Sequence, residues 1–157
     1  MRKVMALSLI VLACCMAPSS AAGAHIDGVA IVNYGVYAVS GPEGKENQEK
    51  NWKLIKQGDR IPATIGTSFG MEYVIKGTPE GERITITLRY LHPTMTNPKT
   101  GEKYNSQDVS IPTLVGKKIH EGYTFDHEWE LVSGAWVIQV FHDDRKLGEQ
   151  YFTVYKP

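Results

Sequence analysis

Five histidines, His25, His92, His120, His127 and His142, are the side chains of this 157-residue chain best suited to hold a metal or move a proton near neutral pH. Their spacing supplies neither a His-Glu-x-x-His pair nor a zinc-type ligand run, so no metal site is read from them. His25 alone carries a sharper chemistry. If a leader is cut after Ala24, His25 bears the free α-amine, and amine plus imidazole can chelate copper once a second imidazole joins. This arrangement, a histidine brace, sits on β-sandwiches in copper carriers and in copper monooxygenases of polysaccharides, and nitrogen ligands in a plane suit Cu(II). The second histidine is not identified by the sequence. A copper-binding protein or oxygenase using His25 is therefore the alternative reading.

Gly66, Ser68 and Gly70 match the G-x-S-x-G pattern of serine hydrolases. That pattern is reactive only where a strand turns sharply into a helix and exposes the serine. Residues 71–75 instead alternate as a strand, so Ser68 reads as a glycine-flanked strand start. His127 alternates with core aromatics and reads as a strand-face residue. Asp143 and Asp144 read as a turn pair, because a calcium site needs further oxygen ligands nearby. Asp126, Glu128 and Glu130 read as the solvated face of a strand. No catalytic residue, bound metal or cofactor is expected from the leading reading, and the binding residues stay unassigned.

The elements that must position these groups are strands. Tyr123, Phe125, His127, Trp129 and Leu131 alternate with polar residues, then Trp136, Ile138 and Val140, then Phe152 and Val154, which predicts three consecutive strands. Phe69, Met71, Tyr73 and Ile75 face one way, as do Ile84, Ile86, Leu88 and Tyr90, and the Thr78 to Gly81 turn between them predicts a hairpin. Residues 29–39 form an apolar run in which Gly28 and Gly35 mark a bulge or bend. Residues 52–56 fit a short strand or one helical turn. Residues 40–50 and 92–104 read as connections, and Val109 to Ile111 as a short strand that Pro112 interrupts. About seven strands at this spacing predict an all-β, immunoglobulin-like antiparallel β-sandwich, with a closed barrel as the competing architecture.

The front of the chain reads as a targeting segment. Arg2 and Lys3 precede an apolar run over residues 4–13, shorter than the ~20 residues of a membrane span. Ala22, Gly23 and Ala24 form a small-x-small cleavage site. Residues 1–24 are therefore expected to be a signal peptide and 25–157 one domain. Val11 to Cys14 is a degenerate lipoprotein box, so membrane attachment is expected only if Cys14 is lipidated. Both cysteines, Cys14 and Cys15, fall in the leader, leaving a mature domain without disulfides. Removing Arg2 and Lys3 leaves 15 basic against 17 acidic residues, a formal charge of −2 with no basic stripe. Electrostatic binding of nucleic acid or of an anionic membrane is not expected on that balance.

Gly35-Val36-Tyr37, Ile61-Pro62, Phe69-Gly70, the turn at Gly77 to Gly81, Trp129-Glu130-Leu131, Gly134-Ala135-Trp136 and Phe152 together resemble a family of small exported bacterial proteins catalogued only as a domain of unknown function. The resemblance implies an immunoglobulin-like sandwich and supplies no catalytic residue. A non-catalytic binding or assembly module, periplasmic or secreted, is expected. Its partner would be an envelope protein or a glycan, met by the loops at 40–50 and 94–103.

Overall fold

The computed structural model describes residues 23–41 and 51–157. Most of the expected leader, with Cys14 and Cys15, lies outside the described residues, as does most of the polar segment 40–50. Among the described residues there are nine strands: β1 (His25–Ser40), β2 (Asn51–Gln57), β3 (Arg60–Pro62), β4 (Ser68–Thr78), β5 (Arg83–Thr96), β6 (Lys103–Leu114), β7 (Lys118–Thr124), β8 (Gly134–His142) and β9 (Arg145–Tyr155). They form a four-stranded sheet, β2-β1-β4-β7, and a five-stranded sheet, β3-β9-β8-β5-β6. All pairs are antiparallel except β3 with β9.

Two predicted pairings are corrected. β4 and β5 do not form a hairpin: they lie in opposite sheets. Their apolar faces meet across the core, because alternation says which face is buried and not which strand lies alongside. The predicted trio at the C-terminus is likewise divided, with β7 in the smaller sheet and the β8–β9 hairpin in the larger. The strand expected over 123–131 ends at Thr124, and Glu128–Glu130 form a single 3-10 turn.

The connections are shorter than expected. β5 runs on to Thr96 and β6 begins at Lys103, the pair shifting register between Leu91 and Met95. β6 passes through Pro112 unbroken. As the edge of its sheet it has a side with no ladder bond for a proline to lose. β1 carries register shifts between Ile26 and Gly28, between Ile31 and Asn33, and between Val36 and Tyr37, so the weak point read at Gly28 is a shift, whereas Gly35, with a φ of 147°, stays in register just before one. Residues 52–56 are strand.

The core closes around Phe69. Its ring centroid lies 5.4 Å from Phe125, 5.5 Å from Trp136 and 5.2 Å from Phe152, and all four side chains are buried. Burying a residue such as Phe contributes about 1.5–3 kcal/mol. Edge-to-face packing of such rings adds about 0.5–1.5 kcal/mol per pair. Phe69 comes from β4, Trp136 from β8 and Phe152 from β9, so this cluster joins the two sheets.

Candidate functional site

Past β7 the chain leaves its sheet and builds one end of the sandwich. The Phe125 N–H donates to Thr67 O at 3.1 Å and the Gly66 N–H to Phe125 O at 2.8 Å, pinning the exit. Glu130, only 8% exposed, then folds back. Its Oε2 accepts the backbone N–H of Asp126 at 2.7 Å and of His127 at 2.9 Å. Burial first, and the Glu130 carboxylate second, push the Tyr123 hydroxyl far above the ordinary phenol range. A carboxylate so enclosed is stable only because donors surround it.

That turn presents an aromatic pair. The His127 ring stacks on Trp129 at 5.6 Å and 18°. Trp129 meets Tyr104 edge-on at 6.1 Å, Tyr104 meets His92 at 5.6 Å, and His92 lies 4.8 Å from Trp136. The pair is thus continuous with the core. A recess of about 530 Å³ opens beside it, with Ile65, Pro98, His127 and Trp129 as walls. Asn97, Lys99, Asp126 and Glu128 rim it. It is open to solvent, so it offers an aromatic surface with polar groups around it and no enclosed pocket. Asn97, Pro98 and Lys99 belong to the segment read as a contact loop, whereas the 40–50 segment lies largely outside the described residues.

A second polar cluster lies on the outward face of the four-stranded sheet. Asn33, Glu72 and His120 are cross-strand neighbours on β1, β4 and β7. Glu72 accepts hydrogen bonds from Lys118 Nζ at 2.7 Å, from His120 Nε2 at 3.1 Å and from Asn33 Nδ2 at 3.2 Å. The Lys118 bond holds its carboxyl below the ordinary glutamate range; burial opposes this, and Asn33 and His120 add to the lowering. Beside it Tyr37 is 4% exposed, and its hydroxyl has no hydrogen-bond partner among the described residues. Burial, then the Glu72 charge, push that hydroxyl up to about 12. It therefore stays protonated across the physiological range.

The remaining candidates separate. Ser68 is 4% exposed on a continuous strand, its hydroxyl 2.7 Å from that of Thr124, so the G-x-S-x-G motif forms no exposed elbow. His92 is buried, its Nδ1–H donating to Pro93 O at 2.8 Å, and burial lowers its basicity. Asp143 and Asp144 make the β8–β9 turn, Asp143 with a positive φ of 51°. His25 and His142 both border one open recess of about 400 Å³, as do Asp27, Asp143 and Arg145. No group of three His, Cys, Asp or Glu side chains poised for a metal occurs among the described residues.

Two residues that organise these sites were not singled out by sequence. Glu130 reads as part of a solvated face because His127, three residues before it, is not the Ser or Thr that announces a capping box, although the structure forms one. Glu72 alternates with the buried Met71 and Tyr73, and nothing local in the sequence marks its three donors.

The sequence model of the Domain of unknown function (DUF3859) matches residues 27–154. A crystal structure of an immunoglobulin-like protein from Pseudomonas aeruginosa is 33% identical, the match covering 87% of this chain and 100% of that one with a TM-score of 0.62. No curated protein matches. The sandwich is immunoglobulin-like, with nine strands among the described residues rather than about seven. A family match over most of its length and a related solved structure of the same fold place the chain in the DUF3859 family of domains of unknown function.

Proposed function

We propose that the protein is exported and acts as a non-catalytic binding module of the cell envelope, taking its ligand in the recess beside Trp129. The observation that carries this reading is the His127–Trp129 pair, held by buried Glu130 on a turn continuous with the aromatic core. A rigid, preformed aromatic wall spends little conformational entropy on binding. The reading of residues 1–24 as a leader supports export. The Ser68 hydroxyl engaged by Thr124, and the Glu72 carboxylate engaged by three donors, support a role other than hydrolysis. An envelope protein or a glycan is the expected partner.

The test is capture from the native envelope. The mature protein immobilised as bait should retain a protein or a glycan that Trp129→Ala releases, the variant melting as a folded domain. Equal retention by the variant, or nothing retained by either, overturns this assignment of the recess.

A further inference from the structure

We propose that the free edge of β7 is a docking site for an extended segment of a second protein, which joins the four-stranded sheet as a fifth strand. This goes beyond the reading of the recess beside Trp129 and uses a different surface.

The two sheets are unequal, and the missing strand has a definite place. β7 lies over β5: the Tyr90 ring stands 6.4 Å from that of Tyr123, and Tyr90 Oη donates to Gly122 O at 3.3 Å. β6 is the next strand out, and among the described residues no strand of the smaller sheet lies opposite it. Ile86 and Leu88 on β5 are fully buried, yet Val109, beside Leu88 on the same face of β6, is 37% exposed. A groove of about 580 Å³ follows the β7 edge, with Ile111 and Thr113 of β6 on one side and Trp52 and His120 on the other. Neighbouring strands lie about 4.8 Å apart and stacked sheets about 10 Å apart, so one more strand beside β7 would cover β6.

The edge itself is ready to pair. The Phe125 N–H donates to Thr67 O, and β7 runs along β4 without a register shift. Antiparallel ladders alternate, so the N–H and C=O groups of Lys118, His120, Gly122 and Thr124 face away from β4. The Gly122 oxygen takes the Tyr90 hydroxyl, and the others have no backbone partner among the described residues. Proteins commonly blunt such edges with charge, proline, bulges or brevity. β2 carries Lys53 and Lys56 and a register shift against β1, β3 is three residues long and ends in Pro62, and β6 contains Pro112. β7 has neither proline nor shift, and its Lys118 and His120 side chains are drawn over to Glu72 at 2.7 Å and 3.1 Å.

A free segment fits where a second copy does not. Two β7 edges cannot pair antiparallel, because β5 of the second copy, opposite its own β7, would fill the place that β6 already holds. Residues 42–50 have no aliphatic side chain to offer. Glu121 shares the inner face of β7 with buried Ile119 and lines the groove. The segment that fits therefore alternates, with aliphatic residues toward Ile111, polar ones toward His120, and a basic residue opposite Glu121, where unlike charges attract. In strand addition the main-chain ladder supplies affinity and the alternate side chains supply selectivity.

The probes are synthetic peptides the length of β7 that alternate Thr with Val, with Lys or Glu at the central Val position. They are titrated into isotope-labelled protein purified from cells expressing the full chain, and amide shifts and amide exchange are read by NMR. The expected result is protection at Lys118, His120, Gly122 and Thr124, with the Lys peptide bound more tightly than the Glu peptide. Methylating the peptide's ladder amides should weaken binding at least roughly tenfold, a test that leaves the protein unaltered. Ile111→Lys, melting as the parent does, should weaken it likewise, whereas Trp129→Ala should leave it unchanged. No binding by either peptide, protection on β2 or β6 instead, or equal affinity after methylation overturns the site. A dimer that protects the same four amides without peptide overturns the second protein as its occupant.

Discussion

Glu130 Oε2 accepts the backbone N–H of Asp126 at 2.7 Å, so a buried carboxylate terminates one strand and forms the turn that carries Trp129. The same oxygen holds the His127 amide at 2.9 Å. The end recess therefore depends on an acidic side chain that never reaches its surface.

Replacing that carboxylate should cost more than an exposed acid would. Hydrogen bonds to charged groups are worth about 1.5–3 kcal/mol, so Glu130→Ala is expected to lower stability by that order. Glu130→Gln, which keeps one acceptor oxygen, should lose less. Urea unfolding gives the two values, and amide exchange at Asp126 and His127 should accelerate in step. An Ala variant with the parent's unfolding midpoint would contradict this role.

Acid sensitivity should run through Glu72. Its folded-state pKa lies below the ordinary value, chiefly through Lys118, so its contribution is complete above the unfolded-state pKa. As pH falls through the folded-state value, that contribution is lost. In Lys118→Ala the carboxyl should titrate at higher pH, and the stability lost on acidification through Glu72 should be smaller and complete at a higher pH. Carboxyl-carbon NMR of Glu72 measures it; an unmoved titration would remove Lys118 from the account.

Gly70 faces Gly122 across β4 and β7. A Cβ on Gly70 would stand 2.1 Å from the Glu121 carbonyl oxygen, a backbone atom that cannot rotate away. Gly70→Ala should therefore destabilise by about 3 kcal/mol or more, in the range reserved for strained or overpacked sites. Gly28→Ala, whose Cβ would meet Leu147 O at 3.4 Å, serves as the mild control. Thermal melts that rank the two the other way would refute the register.

Ser68→Ala tests the hydrolase motif from the other side. Losing the 2.7 Å bond to Thr124 should cost about 1 kcal/mol, the net worth of a typical hydrogen bond. Cleavage of an activated ester should stay at the parent's background rate. A drop in that rate with folding intact would make Ser68 a nucleophile after all.

The ordering of these effects explains which readings held. Alternation along 69–76, 84–90 and 136–140 identified buried faces, because a side chain's face is set by its own strand. The same alternation over 123–131 misled, since Phe125, His127 and Trp129 keep the spacing of a strand while Glu130 draws the backbone into a turn. The 92–104 stretch reads as a connection because Asn97-Pro98 and Thr100-Gly101 punctuate it, yet β5 continues through His92 and Pro93 to Thr96.

Residue order alone determined an all-β domain with Trp136, Phe152 and the Phe69 face inside, since burying apolar faces of strands leaves few other arrangements. Tertiary structure decided that β4 and β5 face each other instead of pairing, that Glu72 finds Lys118 and His120, and that Ser68 finds Thr124. Each of those joins residues far apart in the chain. Local periodicity carries no information about which distant strand will lie alongside, because that choice depends on the free energy of packing the whole core.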